Sequence, residues 1–327
     1  MAANLTPEYQ KNEARYKSAT TDEERLDALQ AMLQTIPKHK ASEKMQAELK
    51  RKISQLRKDM ASKPAAKGTV DHFHVPKSGA GQVVLAGPPN TGKSSIVAVT
   101  TNAPVKVGDY PYTTALPAPG MWPFEDVQIQ LVDTPPMTVD NIPSGLLGTI
   151  RSADIIGIVV DASADCLEQA DMMHSVLTER GVELKSVPVA ELDVANPNAR
   201  SAIVIANKLD LASEGDIEVL RELFDNKLEI IAISTASGQG LDVLRARLWQ
   251  LLSVIRIYTK EPGKPADFDR PYILPLGSTV EELASAVHRD LPEIMTFARI
   301  WGDGWFEGQR VQRSDVLHDK NVVEIHQ

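Results

Sequence analysis

One stretch constrains this chain more than any other. The apolar run Val83-Val84-Leu85-Ala86 leads into Gly87-Pro88-Pro89-Asn90-Thr91-Gly92-Lys93-Ser94, with a helical pattern behind it. The octapeptide fits G-x-x-x-x-G-K-[ST], in which glycines let backbone N–H groups wrap phosphate oxygens at a helix start. A strand that ends in such a loop and feeds a helix predicts an α/β domain with a mostly parallel sheet covered by helices on both faces.

The texture after Gln82 agrees with that expectation. Val127–Val132 runs to Asp133, Ile155–Val160 to Asp161, Ala202–Ala206 to Asn207 and Ile230–Ile233 to Ser234, with helical patterns over 166–180 and 214–226. In sheets of this kind ligands bind at the carboxyl ends of the strands, where each of these polar residues falls. Upstream, residues 1–63 contain no glycine and carry two helical stripes. One is Leu26, Leu29, Met32, Leu33 and Ile36; the other is Met45, Leu49, Ile53, Leu56 and Met60. Pro37 separates them, which predicts a helical hairpin. Ala61–Gly81 reads as a linker, and its His72 and His74 as solvated side chains. After a helix over 240–255, Tyr272–Leu274, Thr279–His288, Arg299–Trp301 and Val322–Ile325 read as strand, helix, strand and strand of a small α+β module.

Composition excludes several classes. The single cysteine, Cys166, rules out an intrachain disulfide framework and a Cys-based zinc module. No apolar run reaches the 18 or so residues of a membrane span, and the N-terminus lacks a signal-peptide pattern, so a cytoplasmic protein is expected. The net charge of −9 conceals a basic segment. Residues 38–67 hold ten Lys or Arg against three Asp or Glu. Such a segment is either a solvated helix face or an electrostatic footprint for nucleic acid.

The strand ends carry a consistent nucleotide chemistry. In the phosphate loop Gly87, Asn90, Thr91, Gly92, Lys93, Ser94 and Ser95 are the expected contacts, with Lys93 reaching the β- and γ-phosphates and Ser94 ligating Mg2+. Asp133 takes the position of the second carboxylate on the magnesium side. Asn207-Lys208-Leu209-Asp210 sets the base: the Asp210 carboxylate can accept from both N1–H and the exocyclic amine of guanine, a donor pair adenine lacks. Backbone N–H groups of Ser234, Thr235 and Ala236 are expected to buttress the guanine edge. GTP and GDP are the implied ligands.

With these residues in view, the chain resembles the Obg-related GTPases, most nearly the DRG (developmentally regulated GTP-binding protein) branch. Tyr110-Pro111-Tyr112-Thr113-Thr114 looks like that group's switch I. Ile255-Arg256-Ile257-Tyr258-Thr259-Lys260, with Pro262-Gly263-Lys264 and Arg270–Pro275, resembles the DRG entry into a TGS domain of β-grasp fold, and Trp301-Gly302 and Val322–Ile325 fit that module. The region of Lys38, Lys40, Ala41, Ser42 and Glu43 resembles the DRG N-terminal hairpin. The resemblance implies three parts: a hairpin and linker over 1–70, a GTPase domain over 71–255 and a TGS domain over 256–327. It also implies slow, Mg2+-dependent hydrolysis of GTP to GDP and phosphate, with Lys93, Thr114 and Met137 in the catalytic positions and Ser94, Thr114 and Asp133 around magnesium. Met137 fills the slot where many small GTPases carry a glutamine. Asn90 stands where related enzymes hold K+ beside the phosphates. The implied partners are the ribosome or RNA, through the basic hairpin and the TGS domain, or another protein.

Two departures qualify the likeness. The family's Asp-x-Pro-Gly is Asp133-Thr134-Pro135-Pro136 here, and Pro136 has no N–H to offer the γ-phosphate. The segment between Cys166 and Asn207 is too short for the extra domain that DRG proteins insert. A switch, a nucleotide-bound scaffold with impaired hydrolysis, and an RNA-binding module regulated by nucleotide all remain open on the sequence.

Overall fold

The computed structural model describes residues 9, 12, 16, 28, 29, 31–33, 35, 36, 45, 46, 48–54, 72–101, 116–139, 141–143, 145–224 and 227–327. The chain divides into two compact units, Met1–Asp71 and His72–Gln327. In the first, the described backbone is helical almost throughout. Leu29, Met32 and Ile36 of one predicted stripe pack with Leu49 and Ile53 of the other and with Tyr9. Leu26, Leu56, Met60 and the 38–43 segment lie outside the described residues.

The second unit is built on two sheets. In the larger, β1 (Gln82–Ala86) is wholly buried between β3 (Val127–Asp133) and β4 (Ile155–Asp161), and all three run parallel. The strand β2 (Ala118–Phe124) pairs antiparallel with β3 at one edge. Beyond β4 lies β6 (Ala199–Asn207), which pairs parallel with β5 (Glu183–Lys185) near its start and with β7 (Ile230–Ala232) further along. Both faces of the central strands are covered, so their sequences are continuously apolar rather than alternating. On one face Val84, Ala86, Ile156 and Ile158 share a core with Leu146 and Ile150, Met173 and Leu177, and Leu220 and Phe224. These come from three helices, α2 (Leu146–Ser152), α3 (Cys166–Glu179) and α4 (Glu214–Phe224). On the other face Val83, Leu85, Ile203 and Ile205 meet α1 (Lys93–Thr100) and α5 (Leu241–Leu252) through Ile96, Val97, Leu244 and Leu248. Because β1 has neighbours reached in opposite directions, a crevice opens at the carboxyl ends beside it.

The smaller sheet has the order β11 (Gln309–Val311), β10 (Phe297–Trp301), β12 (Asn321–His326), β8 (Val254–Lys260), β9 (Ala266–Pro275). The helix α6 (Val280–Val287) covers one face through Val280, Leu283 and Ala284, which pack on Ile255, Ile257, Ala298, Ile300 and Val323. Its start is fixed by a capping box between Thr279 and Glu282, and a short helix, α7 (Leu291–Ile294), follows.

Two expectations are corrected. The helix predicted over 240–255 stops at Leu252, where Ser253 turns with φ +53°. Val254–Lys260 is instead the strand β8, and β-branched Ile255 and Ile257 point into the small module's core. The division expected between residues 255 and 256 therefore falls inside a strand. The predicted linker is shorter as well. Val75 is buried in the large core, its carbonyl accepts from Gln82 Nε2 at 3.0 Å, and Ala80 N–H donates to the Gln128 carbonyl at 2.7 Å. His72 and His74 are exposed. Among the described residues no helix is long and apolar enough to cross a membrane.

Candidate nucleotide site

The phosphate loop follows β1 directly, and α1 begins at Lys93. Gly92 precedes it with φ +90°, and a Cβ there would lie 2.1 Å from Asn207 Nδ2, so only glycine fits. At Gly87 a Cβ would stand 2.3 Å from the Val159 carbonyl oxygen of the neighbouring strand. The loop closes on its own lysine: Lys93 Nζ donates to the carbonyls of Gly87 at 2.9 Å and Pro88 at 2.7 Å. Burial of that ammonium lowers its pKa to about 8, with the Asp133 carboxylate acting in the opposite sense. Ser94 Oγ donates to Asp133 Oδ2 at 2.6 Å. Two hard oxygens so close, at the end of β3 and the start of α1, are a donor pair suited to a hard divalent cation. Among the described residues no group of three or more His, Cys, Asp or Glu could hold a metal by itself.

The base-reading motif lies at the end of β6. Asn207 is completely buried and acts as a cross-tie. Its Nδ2 donates to the Thr91 carbonyl of the phosphate loop at 3.0 Å, and its Oδ1 accepts from Thr235 N–H at 3.2 Å. The loop after β7 is thus tied to the phosphate loop through one side chain. Asp210 receives a hydrogen bond from Ser234 Oγ, which in turn accepts from Ser237 N–H. Lys208, with φ +66°, reaches back to Asp161 at the end of β4. Burial raises the Asp161 pKa, but the Lys208 ammonium and the Ser163 hydroxyl outweigh it and hold the carboxylate below its ordinary value. Of the three amides expected along the guanine edge, Ser234 N–H donates to Gln239 O and Thr235 N–H to Asn207. That leaves Ala236 as the amide of the trio that these bonds do not engage.

The segment after β3 is anchored twice. Thr134 Oγ1 donates to Leu85 O at 2.7 Å, and Met137 N–H donates to Gly87 O at 3.1 Å. Pro135 and Pro136 between them are buried. The Met137 side chain, in the glutamine slot, is 0 % exposed and belongs to the apolar cluster on one face of the sheet, so it presents only backbone to the loop. Asn90 sits in the loop with φ +64°. Thr114 and the whole 110–114 motif lie outside the described residues. Arg151 bonds the Arg180 carbonyl and receives Arg200 on its own, at the amino end of β6 and away from this crevice. The Cys166 thiol is buried in the core, and burial pushes its pKa up, which suits packing and not nucleophilic chemistry.

Sequence reasoning did not find the Asn207–Thr91 tie or the Lys208–Asp161 pair. The signal for the second was present: Asp161 ends an apolar strand next to the one that ends in Asn207.

Residues 82–192 match the family described as 50S ribosome-binding GTPase, and residues 255–327 match the TGS domain. An uncharacterized GTP-binding protein of Halobacterium salinarum is 27% identical over 364 residues, covering 93% of this chain and 98% of that protein. Developmentally-regulated G-protein 1 of Arabidopsis thaliana is 27% identical, covering 92% and 90%. Developmentally-regulated GTP-binding protein 2 of Mus musculus is 23% identical, covering 92% and 98%. The chain is a relative of the DRG-type GTP-binding proteins. It has a P-loop GTPase domain and a C-terminal TGS domain. The first of these alignments is longer than the 327-residue chain itself, so that relative carries segments without a counterpart here. Among solved structures, an NFeoB from S. thermophilus bound to GDP.AlF4- and K+ aligns with a TM-score of 0.39 and 18% identity, covering 52% of this chain and 62% of that one. That likeness is too loose to carry weight.

The Lys93 environment generates a pH prediction. With a pKa of about 8 before nucleotide binds, Lys93 loses its proton above that pH, and phosphate restores it. Binding above pH 8 therefore takes up a proton, and affinity falls by up to about tenfold per pH unit until the bound-state pKa is reached. Calorimetry at pH 9 in two buffers of different ionisation enthalpy should give different observed enthalpies; identical values would contradict the buried-lysine account.

Proposed function

We propose that this chain is a slow, magnesium-dependent GTPase that switches between GTP and GDP forms. The observation that carries the reading is the Asn207 cross-tie, because it holds the phosphate-binding and base-reading loops in one rigid frame. In that frame Lys93 neutralises the β- and γ-phosphates and the loop amides bind their oxygens. Asp210 selects guanine, with Ala236 offering its N–H at the edge. Ser94 and Asp133, joined by Thr114, would hold Mg2+, which would supply positive charge beside the phosphates. Among the described residues no further side chain supplies positive charge against the negative charge that hydrolysis develops on the phosphate oxygens. K+ would be held by Asn90 and would supply that charge. The helical hairpin and the TGS domain then serve as effector surfaces, and the basic hairpin suits RNA or a ribosome in the cytoplasm.

Asp210→Asn tests the base reading. The variant should lose GTP affinity and gain affinity for xanthosine triphosphate, whose exocyclic oxygen accepts from the asparagine amide. ATP competing as well as GTP for the native protein would sink the assignment.

Phosphate release in K+ and in Na+ at equal ionic strength, with and without purified ribosomes, tests the rest. The expected result is faster release in K+, abolished by Asn90→Ala, and further acceleration by ribosomes. Equal rates in all four conditions would remove both the cation and the ribosome from the reading.

A second reading is favoured by one observation. Met137 N–H is already engaged by the phosphate loop and Pro136 has none to give, and on this second reading the protein serves as a nucleotide-bound scaffold that discriminates GTP from GDP weakly. Pro136→Gly restores a donor. One charge-assisted hydrogen bond is worth roughly 1.5–3 kcal/mol, so the GTP to GDP affinity ratio should rise by about tenfold or more. An unchanged ratio would mean that this backbone does not approach the γ-phosphate.

A further inference from the structure

Away from the nucleotide site, the Arg256 side chain is engaged on every guanidinium nitrogen. It belongs to β8 of the TGS domain and is 2 % exposed. Its guanidinium meets Asp126 Oδ1 at 2.7 Å, Glu125 Oε2 at 2.5 Å and Asp319 Oδ2 at 2.6 Å. Its backbone N–H also donates to Asp319 Oδ1 at 2.7 Å, and its carbonyl accepts from Lys320 N–H at 2.7 Å. The guanidinium carbon lies 4.9 Å from the Trp249 ring centre on α5, and that ring stacks on Phe124 at 4.7 Å. Tyr258, two residues along the same strand, donates its hydroxyl to Asp126 Oδ2 at 2.6 Å.

Glu125 and Asp126 are the two-residue turn that joins β2 to β3. Seven residue pairs separate that tip from the other end of the ladder: Phe124 faces Val127 at the tip, and Ala118 faces Asp133 at the far end. Asp133 is the carboxylate beside Ser94, and Ala118 lies just past the segment that bears Thr114. One antiparallel ribbon therefore has the nucleotide site at one end and the TGS domain at the other. The tip is built for its contact and not for ease of turning. Two-residue hairpin turns favour Asn, Asp or Gly in left-handed conformations, yet Glu125 occupies φ +50°. Its carboxylate is also met by Lys320 at 2.8 Å, itself at φ +66°. Strain of this sort persists only where surrounding contacts over-determine it.

We infer that Arg256 is a positioning residue for the nucleotide site, acting through the β2–β3 hairpin, so that the conformation of the TGS domain and the GTP or GDP state are thermodynamically linked. This rests on the proposed GTP and GDP binding. A paired ribbon shifts or twists as a unit, and the short charge-assisted bonds that three partly exposed carboxylates make to the buried Arg256 guanidinium tolerate little displacement. Any nucleotide that moves Asp133 or the strand entering at Ala118 must then alter the Arg256 contacts. By reciprocity, any partner that alters the TGS contacts must change the relative affinity for the two nucleotides.

Three mild variants test the inference, since Arg256→Met leaves three carboxylates facing one another and would endanger folding. Arg256→Lys keeps the charge and loses the fork, Asp126→Asn keeps the shape and loses the charge, and Tyr258→Phe removes one donor. For each, the affinities of a non-hydrolysable GTP analogue and of GDP are measured by fluorescence titration, alongside thermal melting. The expected result is that Arg256→Lys and Asp126→Asn still bind both nucleotides but change the affinity ratio by at least about fivefold, the lower end of common coupling strengths, with Tyr258→Phe moving it less in the same direction. Hydrogen exchange at the Arg256 and Lys320 amides of the native protein should also differ between the two nucleotide states. Lowered melting temperatures with an unchanged ratio and identical exchange would make the network merely structural and overturn the inference. A native protein that binds neither nucleotide would instead overturn the functional reading beneath it.

Discussion

The site depends on one buried carboxamide. Asn207 satisfies the Thr91 carbonyl with its nitrogen and the Thr235 N–H with its oxygen, and so joins the phosphate loop directly to the loop after β7. Losing either bond would leave a buried polar group unpaired, at a cost of about 1–3 kcal/mol. The packing is equally exacting, because Gly92 can approach only while it lacks a Cβ. Gly92, Asn207 and Thr235 therefore specify one another, although they are far apart in the chain. The phosphate loop and the loop after β7 are thereby held relative to each other before any ligand arrives, a preorganisation that lowers the cost of binding.

Backbone strain in the described residues is gathered in two places. Five non-glycine residues have positive φ: Asn90, Glu125, Lys208, Ser253 and Lys320. Asn90 and Lys208 belong to the nucleotide site. Glu125, Ser253 and Lys320 belong to the junction between the two sheets, with Ser253 setting the turn from α5 into β8. Each such residue carries a penalty of order 1–3 kcal/mol that a loop under no constraint would relax. Arg256 supplies part of the compensation at the junction. Burial works against its charge, and the Asp319, Glu125 and Asp126 carboxylates more than offset that, holding its pKa above the ordinary value. The same field and burial raise the Tyr258 hydroxyl to about 12.

What could be read from the sequence was local. The phosphate loop, the carboxylate at Asp133 and the Asn207–Asp210 motif each follow a short apolar run, and the strand-to-loop transition puts each at a carboxyl end without reference to distant contacts. The end of α5 was not legible, because Leu251-Leu252-Ser253-Val254-Ile255 continues an apolar pattern that suits either a helix or a strand. Only the left-handed turn at Ser253 separates them. The role of Arg256 was hidden for a different reason. Its partners Glu125 and Asp126 lie 131 and 130 residues away, and Asp319 lies 63 away. A charged residue in an apolar strand advertises that it needs partners, but not which ones. The acceptors of the Ser234 and Thr235 amides were hidden likewise, since they come into reach only once β6 and β7 are paired.

The anchoring of residues 133–137 decides where a switch could act. Thr134 is fixed to Leu85, Met137 is fixed to Gly87, and the Met137 side chain is locked in the core. Two prolines fill the space between, which limits the backbone conformations available and withholds a donor. In a GTPase that senses the γ-phosphate through this segment, the loop must swing toward the nucleotide and present an N–H. Here the swing would break the Met137–Gly87 bond and pull an apolar side chain from its cluster, for no hydrogen bond in return at Pro136. On the proposed reading, discrimination between GTP and GDP then falls to the other arm of the same ribbon, where β2 begins at Ala118, and to Asp133 opposite it. That arm is the one whose far end meets the TGS domain, so on the proposed reading the route from nucleotide to effector runs along the β2–β3 hairpin and not through the loop that follows it.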